Sequence, residues 1–523
     1  MVMNPGHRII LNTLATYGHS LLSLVMSLFS ARWVLKALGE VDFGLFGVVG
    51  SIILLVTFLN GALSVGVGRF YAYSIGQGEN IAAEAAGDDL NRWFNTAFSI
   101  HLLLPIILIP IGWPIGEYAI HHWLTIPAER IDACVWLFRV SLIGAFVGVF
   151  SVPFTSMYTA HQLIVELAVF NIIRSLGTFV GAWFLMRAES DRLVFYGIYM
   201  IAITAGTLIV QIFRAAIKFP ACRPCLDYMY DRGYLRKLFA FVGWKMFGMS
   251  CVAFQSQGTP VLANLFYGPA VNAAYSVANR LSIQATTLSA AMTGAFQPAL
   301  TSAEGKGNRK AMLGMATKVS KFGSLLVMFF VVPLFLEMDS VLVLWLENPP
   351  KHSGVLCRWM LLMLLIDKLT AGQMLAVNAF GKIAAYELIQ GSVIFLTLPM
   401  IWILYRLGYG PPSLGVALFV STLIYCIGRV IFFWALFKES PRDWIRWVVI
   451  PTGSIAIGSY LVGAIVMSLL DPGLVRLLSV SGLSTAFVGV TGWIWLLDHQ
   501  ERRYALNVLA GGARKLKLRT SLL

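Results

Sequence analysis

The chain has 523 residues, of which 58% are hydrophobic and only 12% charged, and its mean hydropathy is +0.76. Soluble domains carry about a quarter charged residues, so this composition excludes a soluble globular protein and points to a polytopic membrane protein. The formal charge of +14 would raise nucleic-acid binding in a soluble chain. Here the cations lie between apolar runs, so the excess reads as membrane topology and no nucleic-acid partner is expected.

Fourteen apolar runs follow one another at roughly 9–31, 44–66, 93–116, 134–158, 163–186, 193–215, 239–264, 271–298, 313–346, 355–380, 383–405, 413–437, 444–469 and 475–497. Each is long enough to cross a bilayer. They predict an all-α integral membrane fold of about 14 transmembrane helices, numbered below as spans 1 to 14. The first run is too long for a signal-peptide core and lacks a small-residue cleavage site, so it is expected to stay as span 1. Span 9 is over-long, and an interfacial piece is expected at Glu337–Asp339.

Lysine and arginine set the orientation. With the N-terminus inside, the inner segments hold 24 Lys/Arg, the outer loops nine, and the spans the remaining six of the 39. That bias predicts both termini in the cytoplasm of an inner (plasma) membrane. The longest outer loop, Glu117–Ala133, has about 17 residues, which leaves no room for an outer catalytic domain. No GxxxxGK[ST] pattern occurs, so no cofactor and no direct ATP use are expected. Six cysteines are present. Cys222 and Cys225 form CRPC in a basic loop, and a lone CxxC is read as two ordinary thiols, with no metal site.

An internal repeat is visible. Shifted by 229 residues, Leu38-Gly39 falls on Tyr267-Gly268, Phe46 on Tyr275, and Gly76-Gln77-Gly78 on Gly305-Lys306-Gly307. A second match, offset by 221, places Glu166 on Glu387. Spans 1–6 and 7–12 then form two six-helix lobes of like orientation, and spans 13 and 14 lie outside the duplication. The expected domains are an N-terminal lobe 1–215, a cytoplasmic linker 216–238, a C-terminal lobe 239–437, and accessory spans with a basic tail 438–523. Parallel repeats of this kind suggest a transporter opened by rocking of its halves, not an enzyme.

Polar stripes follow the repeat. In span 1, Asn12, Thr16, His19, Ser23, Ser27 and Ser30 share one helical face. Span 8 carries Asn272, Ser276, Asn279, Ser282, Thr286, Ser289, Thr293 and Gln297 at similar spacing. Span 7 adds Lys245, Gln255, Ser256, Gln257 and Thr259, and span 2 adds Asn60. Two readings are open: helix–helix packing, for which Ser and Thr are common, and a polar cavity walled by spans 1, 2, 7 and 8.

Charges at membrane depth carry insertion penalties of about 2.5–3.5 kcal/mol each, which function or pairing must justify. The cations are Arg139, Arg174, Lys245, Arg280, Lys368 and Arg429; the anions are Glu166, Asp367 and Glu387. Six against three predicts an anionic partner, and arginine suits phosphate by its bidentate fork. Arg280 sits beside the span 8 stripe. Arg32 and Arg69 close the first two spans, where they either meet substrate or snorkel to headgroups. Asp367 and Lys368, being adjacent, are expected to pair with other helices, and Glu166 with Arg174 to share a face. Glu166, Asp367 and Glu387 are the candidates for coupling to a proton or sodium ion.

The stretches SARWVLKALGEVDFGLFGVVG and GVGRFYAYSIGQGE, and then NLFYGPAVNAAYSVANRLSIQATTLSAAMTGAFQPAL, resemble the corresponding parts of polysaccharide (O-antigen, lipopolysaccharide O-unit) flippases. These belong to the multidrug/oligosaccharidyl-lipid/polysaccharide exporter superfamily. The resemblance is clearest over 9–80 and 239–310. It implies two six-helix lobes, a V-shaped central cavity and two accessory helices. It also implies flipping of an undecaprenyl-diphosphate-linked oligosaccharide between leaflets, with surface-polysaccharide assembly proteins as partners. Cavity cations facing the diphosphate are implied too, for which Arg32, Arg69, Arg174, Lys245 and Arg280 are the candidates. The drug-exporter branch is the alternative, and a polysaccharide polymerase or ligase is a third reading.

Overall fold

The structure is a computed structural model. It describes residues 54–78, 83–122, 126–189, 191–346, 348–499 and 501–503, with positions 12, 15, 16, 18–23, 25–27, 29, 30, 33, 34, 36–39, 42, 45 and 46 of span 1 and its turn; for 54–59, 83–86, 269 and 288–292 it describes the backbone only. All regular structure among the described residues is helical. Among the described residues ten helices are long and apolar enough to cross a membrane, or eleven when the bent pair Ser353–Leu369 and Ala371–Phe380 counts as one. This is the expected all-α membrane fold.

Span 2 is Leu54–Gly78, span 3 Ala83–His122, span 4 Ile131–Phe150 continued by Val152–Ala160, span 5 Ile164–Leu185 and span 6 Arg192–Lys218. Spans 7 and 8 are Arg232–Tyr267 and Pro269–Gly305. Span 9 runs Arg309–Leu336 and then breaks, with Met338–Leu346 as a separate short helix, so the expected interruption falls at Glu337. Spans 11 to 14 are Ala384–Arg406, Ser413–Phe437, Pro441–Leu469 and Leu474–Leu496.

Local chemistry explains several boundaries. Asp191 caps span 6, its carboxylate accepting from the Leu193 and Val194 amides at 3.0 and 3.2 Å. Asp191→Ala is therefore expected to lower stability by about 1 kcal/mol, read as a lower melting temperature in detergent; an unshifted melting curve would show that the cap is dispensable. Span 10 bends by 48° at Thr370. There the Gly372 amide, in the first turn of Ala371–Phe380 and so without an intrahelical acceptor, donates to Ser320 Oγ at 3.0 Å. A Cβ on Gly372 would overlap the Ala316 carbonyl, which is why the residue at this crossing is glycine.

The repeat is built into the backbone. Gly39 and Gly268, 229 residues apart, both turn the chain at φ +75°, a conformation that glycine adopts without steric penalty. Gly76 lies against the Ser302 carbonyl, and Gly305 lies against the Tyr73 carbonyl. Since Ser302 is Tyr73 shifted by 229 and Gly305 is Gly76 shifted by 229, each glycine meets the other's equivalent neighbour. A twofold relation between two helices generates contacts of this reciprocal kind.

The chain forms two compact units: Met1–Met249 with Ala290–Leu313 and Leu375–Leu388, and Ser250–Ser289 with Gly314–Met374 and Ile389–Leu523. In the first, one core gathers Leu63, Val67, Tyr71, Phe94, Met157 and Tyr158, and another gathers Val34, Leu38, Phe138, Leu185 and Tyr196. In the second, Val271, Tyr275, Val331, Leu361 and Leu418 form one core. A further core of Met328, Val332, Ile455, Val480 and Val488 seats spans 13 and 14 on span 9. The Arg476–Glu337 ion pair at 2.8 Å, with Glu337 only 1% exposed, fixes that seat. Large apolar residues such as Ile107, Ile111 and Ile465 point outward, as they do on surfaces bathed by lipid rather than water.

The segment between the two sequence halves is docked. Asn95, fully buried, accepts from the Cys225 amide at 2.7 Å and donates to the Arg223 carbonyl at 3.2 Å. Asn91 donates to the Ala221 carbonyl and Tyr228 to Asp88. Burial pushes the Cys222 thiol up to about 12, which keeps it protonated and unreactive. Among the described residues no group of three or more His, Cys, Asp or Glu side chains could hold a metal ion.

Candidate functional site

The polar face of span 1 works inside the first unit. Asn12, 2% exposed, donates to the Gln162 carbonyl at 3.0 Å, and Thr16 donates back to the Asn12 carbonyl at 2.8 Å. Two turns on, Ser23 Oγ lies 3.0 Å from His19 Nε2 and 2.7 Å from Ser175 Oγ of span 5. Next comes a cavity of about 420 Å³. Span 1 contributes Ser23, Met26, Ser27, Ser30 and Val34 to its wall; span 5 contributes Ser175 and Thr178, and span 6 Tyr196 and Met200, with Phe46 completing it.

Arg174 stands beside this cavity as the charged neighbour of His19. Its Nη2 donates to Asn171 Oδ1 at 3.0 Å, and among the described residues no carboxylate pairs with it. The site thus offers hydroxyls, an imidazole and a guanidinium. A serine–histidine pair alone does not make a hydrolase. The imidazole needs an acidic orienter, whereas the charged group beside His19 is an arginine. The arrangement suits holding a polar or anionic group.

A wider cleft of about 760 Å³ opens near the far end of the same spans, lined among others by Asp42, Arg130, Arg187, Asp191 and Arg192. Arg130 bridges Asp42 and Asp191.

The three deep carboxylates are all engaged. Glu166 pairs with Arg214 and Lys218, not with Arg174; the latter sits two turns along the same helix, and the two basic residues of span 6 are nearer. Glu387 pairs with Lys245. Asp367 holds Arg429 at 2.7 Å and Lys368 at 3.2 Å, with Tyr425 Oη at 3.3 Å. Asp367 thus pairs with another helix, as expected, through Arg429 of span 12, whereas Lys368 pairs with its own neighbour Asp367. Both residues lie in the last turn of Ser353–Leu369, next to the bend within span 10. Glu166 and Glu387 each lie in the first turn of a helix, where the dipole also favours a carboxylate.

Arg69 is neither free nor snorkelling. Its guanidinium donates to the Asn378, Ala379 and Phe380 carbonyls at 2.9, 3.2 and 3.1 Å, capping the end of Ala371–Phe380. It also lies over the Phe70 and Phe241 rings at 4.9 and 5.0 Å. Arg280 is exposed and has no ion-pair partner among the described residues. Arg32 lies outside the described residues.

The remaining candidates are dispersed. Gln255 donates to Thr397 Oγ1 at 2.9 Å. Asn60 Oδ1 and Asn272 Oδ1 are buried with no described partner. Asn279 and Gln297 are half-buried, and Thr286 is exposed. Gln255, Asn272, Asn279 and Thr286 belong to the second unit, Asn60 and Gln297 to the first. Ser175 and Thr178, which meet the span 1 stripe, and Asn171, which holds Arg174, had a signal of their own: they are spaced four and three residues apart on one helical face.

No family model matches the chain, and no curated relative matches it. Solved structures do. A MATE in complex with MaL6 is 15% identical at a TM-score of 0.67, over 84% of this chain and 98% of that one. An outward-facing multidrug resistance MATE family transporter of the MOP superfamily is 14% identical at 0.68, with the same coverage, 84% and 98%. This chain has the MATE transporter fold. A MOP superfamily transporter from Pyrococcus furiosus, described as having a binding pocket of reverse polarity, is 15% identical at 0.66, again over 84% of this chain and 98% of its own.

Proposed function

We propose that this chain is an alternating-access transporter of the MOP superfamily that carries an anionic amphiphile. The favoured cargo is a lipid-linked diphosphate oligosaccharide, moved from the inner to the outer leaflet of a bacterial inner membrane, with both termini in the cytoplasm. The flux would feed surface polysaccharide assembly. One observation carries this reading: every deep carboxylate is bound by basic side chains, while Arg174 and Arg280 have no carboxylate partner among the described residues. A diphosphate would supply the missing negative charge, and arginine forks match its oxygens. Sugars would lie against the serine and threonine hydroxyls of span 1 and its neighbours while the polyprenyl chain stays in lipid.

A second reading is cation-coupled export of small amphiphilic drugs. The solved neighbours favour it, one of them being described as a multidrug resistance transporter. The Pyrococcus furiosus protein, whose reverse pocket polarity is described as suggesting a different function, supports treating pocket charge rather than fold as the guide to cargo. In the drug reading Glu166, Asp367 or Glu387 would have to leave its basic partners to take up the ion.

The two separate in one experiment. Arg174→Ala and Arg280→Ala are assayed for surface polysaccharide and drug resistance at matched protein level. The flippase reading expects glycan export to fall about tenfold or more, since one charge-assisted pair contributes about 1.5–3 kcal/mol. Intact glycan with lost drug resistance would replace it by the exporter.

A further inference from the structure

We propose that the entry to span 13 is a binding site for the phosphate headgroup of an anionic phospholipid. The site is separate from the cargo cavity and does not depend on which cargo is carried. Span 13 begins as a short turn, Pro441–Trp444, passes through a π-helical segment, Ile445–Val449, and only then becomes the α-helix Ile450–Leu469. The opening is pinned on two sides. Ser440 Oγ accepts from the Arg442 amide at 3.2 Å, and Trp444 Nε1 donates to the Leu369 carbonyl at 3.0 Å.

A cleft of about 580 Å³ lies at this opening, lined by Arg442, Ile445, Arg446 and Ile450. The π segment makes the cleft possible. In an α-helix residues five apart point about 140° away from each other, whereas i→i+5 bonding brings them toward one face. Ile445 and Ile450 therefore form one floor, and the two arginines, four residues apart, form one rim. Both arginines are exposed, and neither has an ion-pair partner among the described residues. Arg446 lies 5.1 Å over the Trp447 ring, a stacked position from which its donors still reach outward.

The apolar floor continues down the span. Ile450, Ile457, Leu461 and Ile465 are 60%, 64%, 54% and 60% exposed, and their spacing of seven, four and four residues keeps them on one helical face. Two guanidinium groups above an exposed apolar stripe match a phosphate with acyl chains below it. A soluble phosphate would use the rim and leave the stripe without a partner. Exposed Trp447 adds an interfacial anchor, and Lys438, Arg442 and Arg446 lie on the Lys/Arg-rich side, where anionic headgroups are attracted.

Native mass spectrometry of the full chain in detergent tests the site, with phosphatidylglycerol, phosphatidylcholine or inorganic phosphate added. The wild type is expected to retain phosphatidylglycerol in preference to phosphatidylcholine. Arg442→Gln with Arg446→Gln should weaken that retention about 30-fold, from roughly one unit of headgroup attraction per arginine. Arg442→Lys with Arg446→Lys should recover most of it. The control, Arg223→Gln with Arg232→Gln, removes two exposed cations elsewhere and should change retention little. Equal retention by the Arg442/Arg446 glutamine variant overturns the proposal, as does an equal loss in the control. Displacement of phosphatidylglycerol by inorganic phosphate at equal concentration overturns the lipid assignment. Both arginines face outward, so melting curves in phosphatidylcholine should match across variants.

Discussion

Alanine at both Gly76 and Gly305 is expected to loosen the seam between spans 2 and 8. A Cβ at either position would overlap a backbone carbonyl, that of Ser302 or of Tyr73, and a backbone group cannot rotate out of the way as a side chain can. The helices must separate. Overpacking of this kind destabilises by about 1–3 kcal/mol per site, which shifts a two-state seam by roughly one to two powers of ten in population. Hydrogen exchange read by mass spectrometry should rise by about tenfold or more in peptides covering 70–78 and 298–306, with little change in spans 5 and 6. Unchanged exchange in the seam peptides would show that the contact does not hold it. Arg69 acts on the same unit by capping residues 378–380, so Arg69→Gln should raise exchange near those carbonyls in the same direction and to a smaller extent.

Lys245→Met is expected to be among the most destabilising single changes in the chain. Lys245 and Glu387 pair with side-chain exposures of only 14% and 9%. Removing one partner of a buried pair strands the other, at a penalty of about 3–5 kcal/mol. The double variant Lys245→Met with Glu387→Gln leaves no stranded charge and should regain most of the loss. A double-mutant cycle on melting temperature in detergent reads this directly. Additive losses would mean that the two residues act separately, and Glu387 would then return as the leading candidate for ion coupling.

Much of the fold was legible in the sequence because it rests on local rules. Apolar length marks the spans, and glycine at a forced positive φ marks the equivalent turns at Gly39 and Gly268. The offset of 229 even anticipates the Gly76–Gly305 seam, although composition gives no hint that these glycines touch backbone. The ion pairs were harder. Glu166 finds Arg214 and Lys218 some 48 and 52 residues away, and Glu387 finds Lys245 at a separation of 142. Helical periodicity ranks faces within one helix but says nothing about which helix lies opposite. For the same reason the stripe of span 1 was legible as a polar face, while its partners Ser175 and Thr178 came from span 5 of its own half. Arg69 misled because its acceptors are backbone carbonyls, which no sequence pattern displays.

The composition of the first unit has a consequence for how the protein is made. Residues 290–313 and 375–388 belong to it, so the first six spans cannot finish packing when they leave the ribosome. Synthesis from residue 249 to residue 388 takes roughly seven to thirty seconds at about 5–20 residues per second. The face of Gly76 lacks its carbonyl until residue 302 has been made, and Arg69 lacks its acceptors until residues 378–380 have been made. The N-terminal half is thus a waiting intermediate rather than an independent folding domain, and a nascent chain halted before residue 388 is the form most open to membrane proteases and to pairing with the wrong helix.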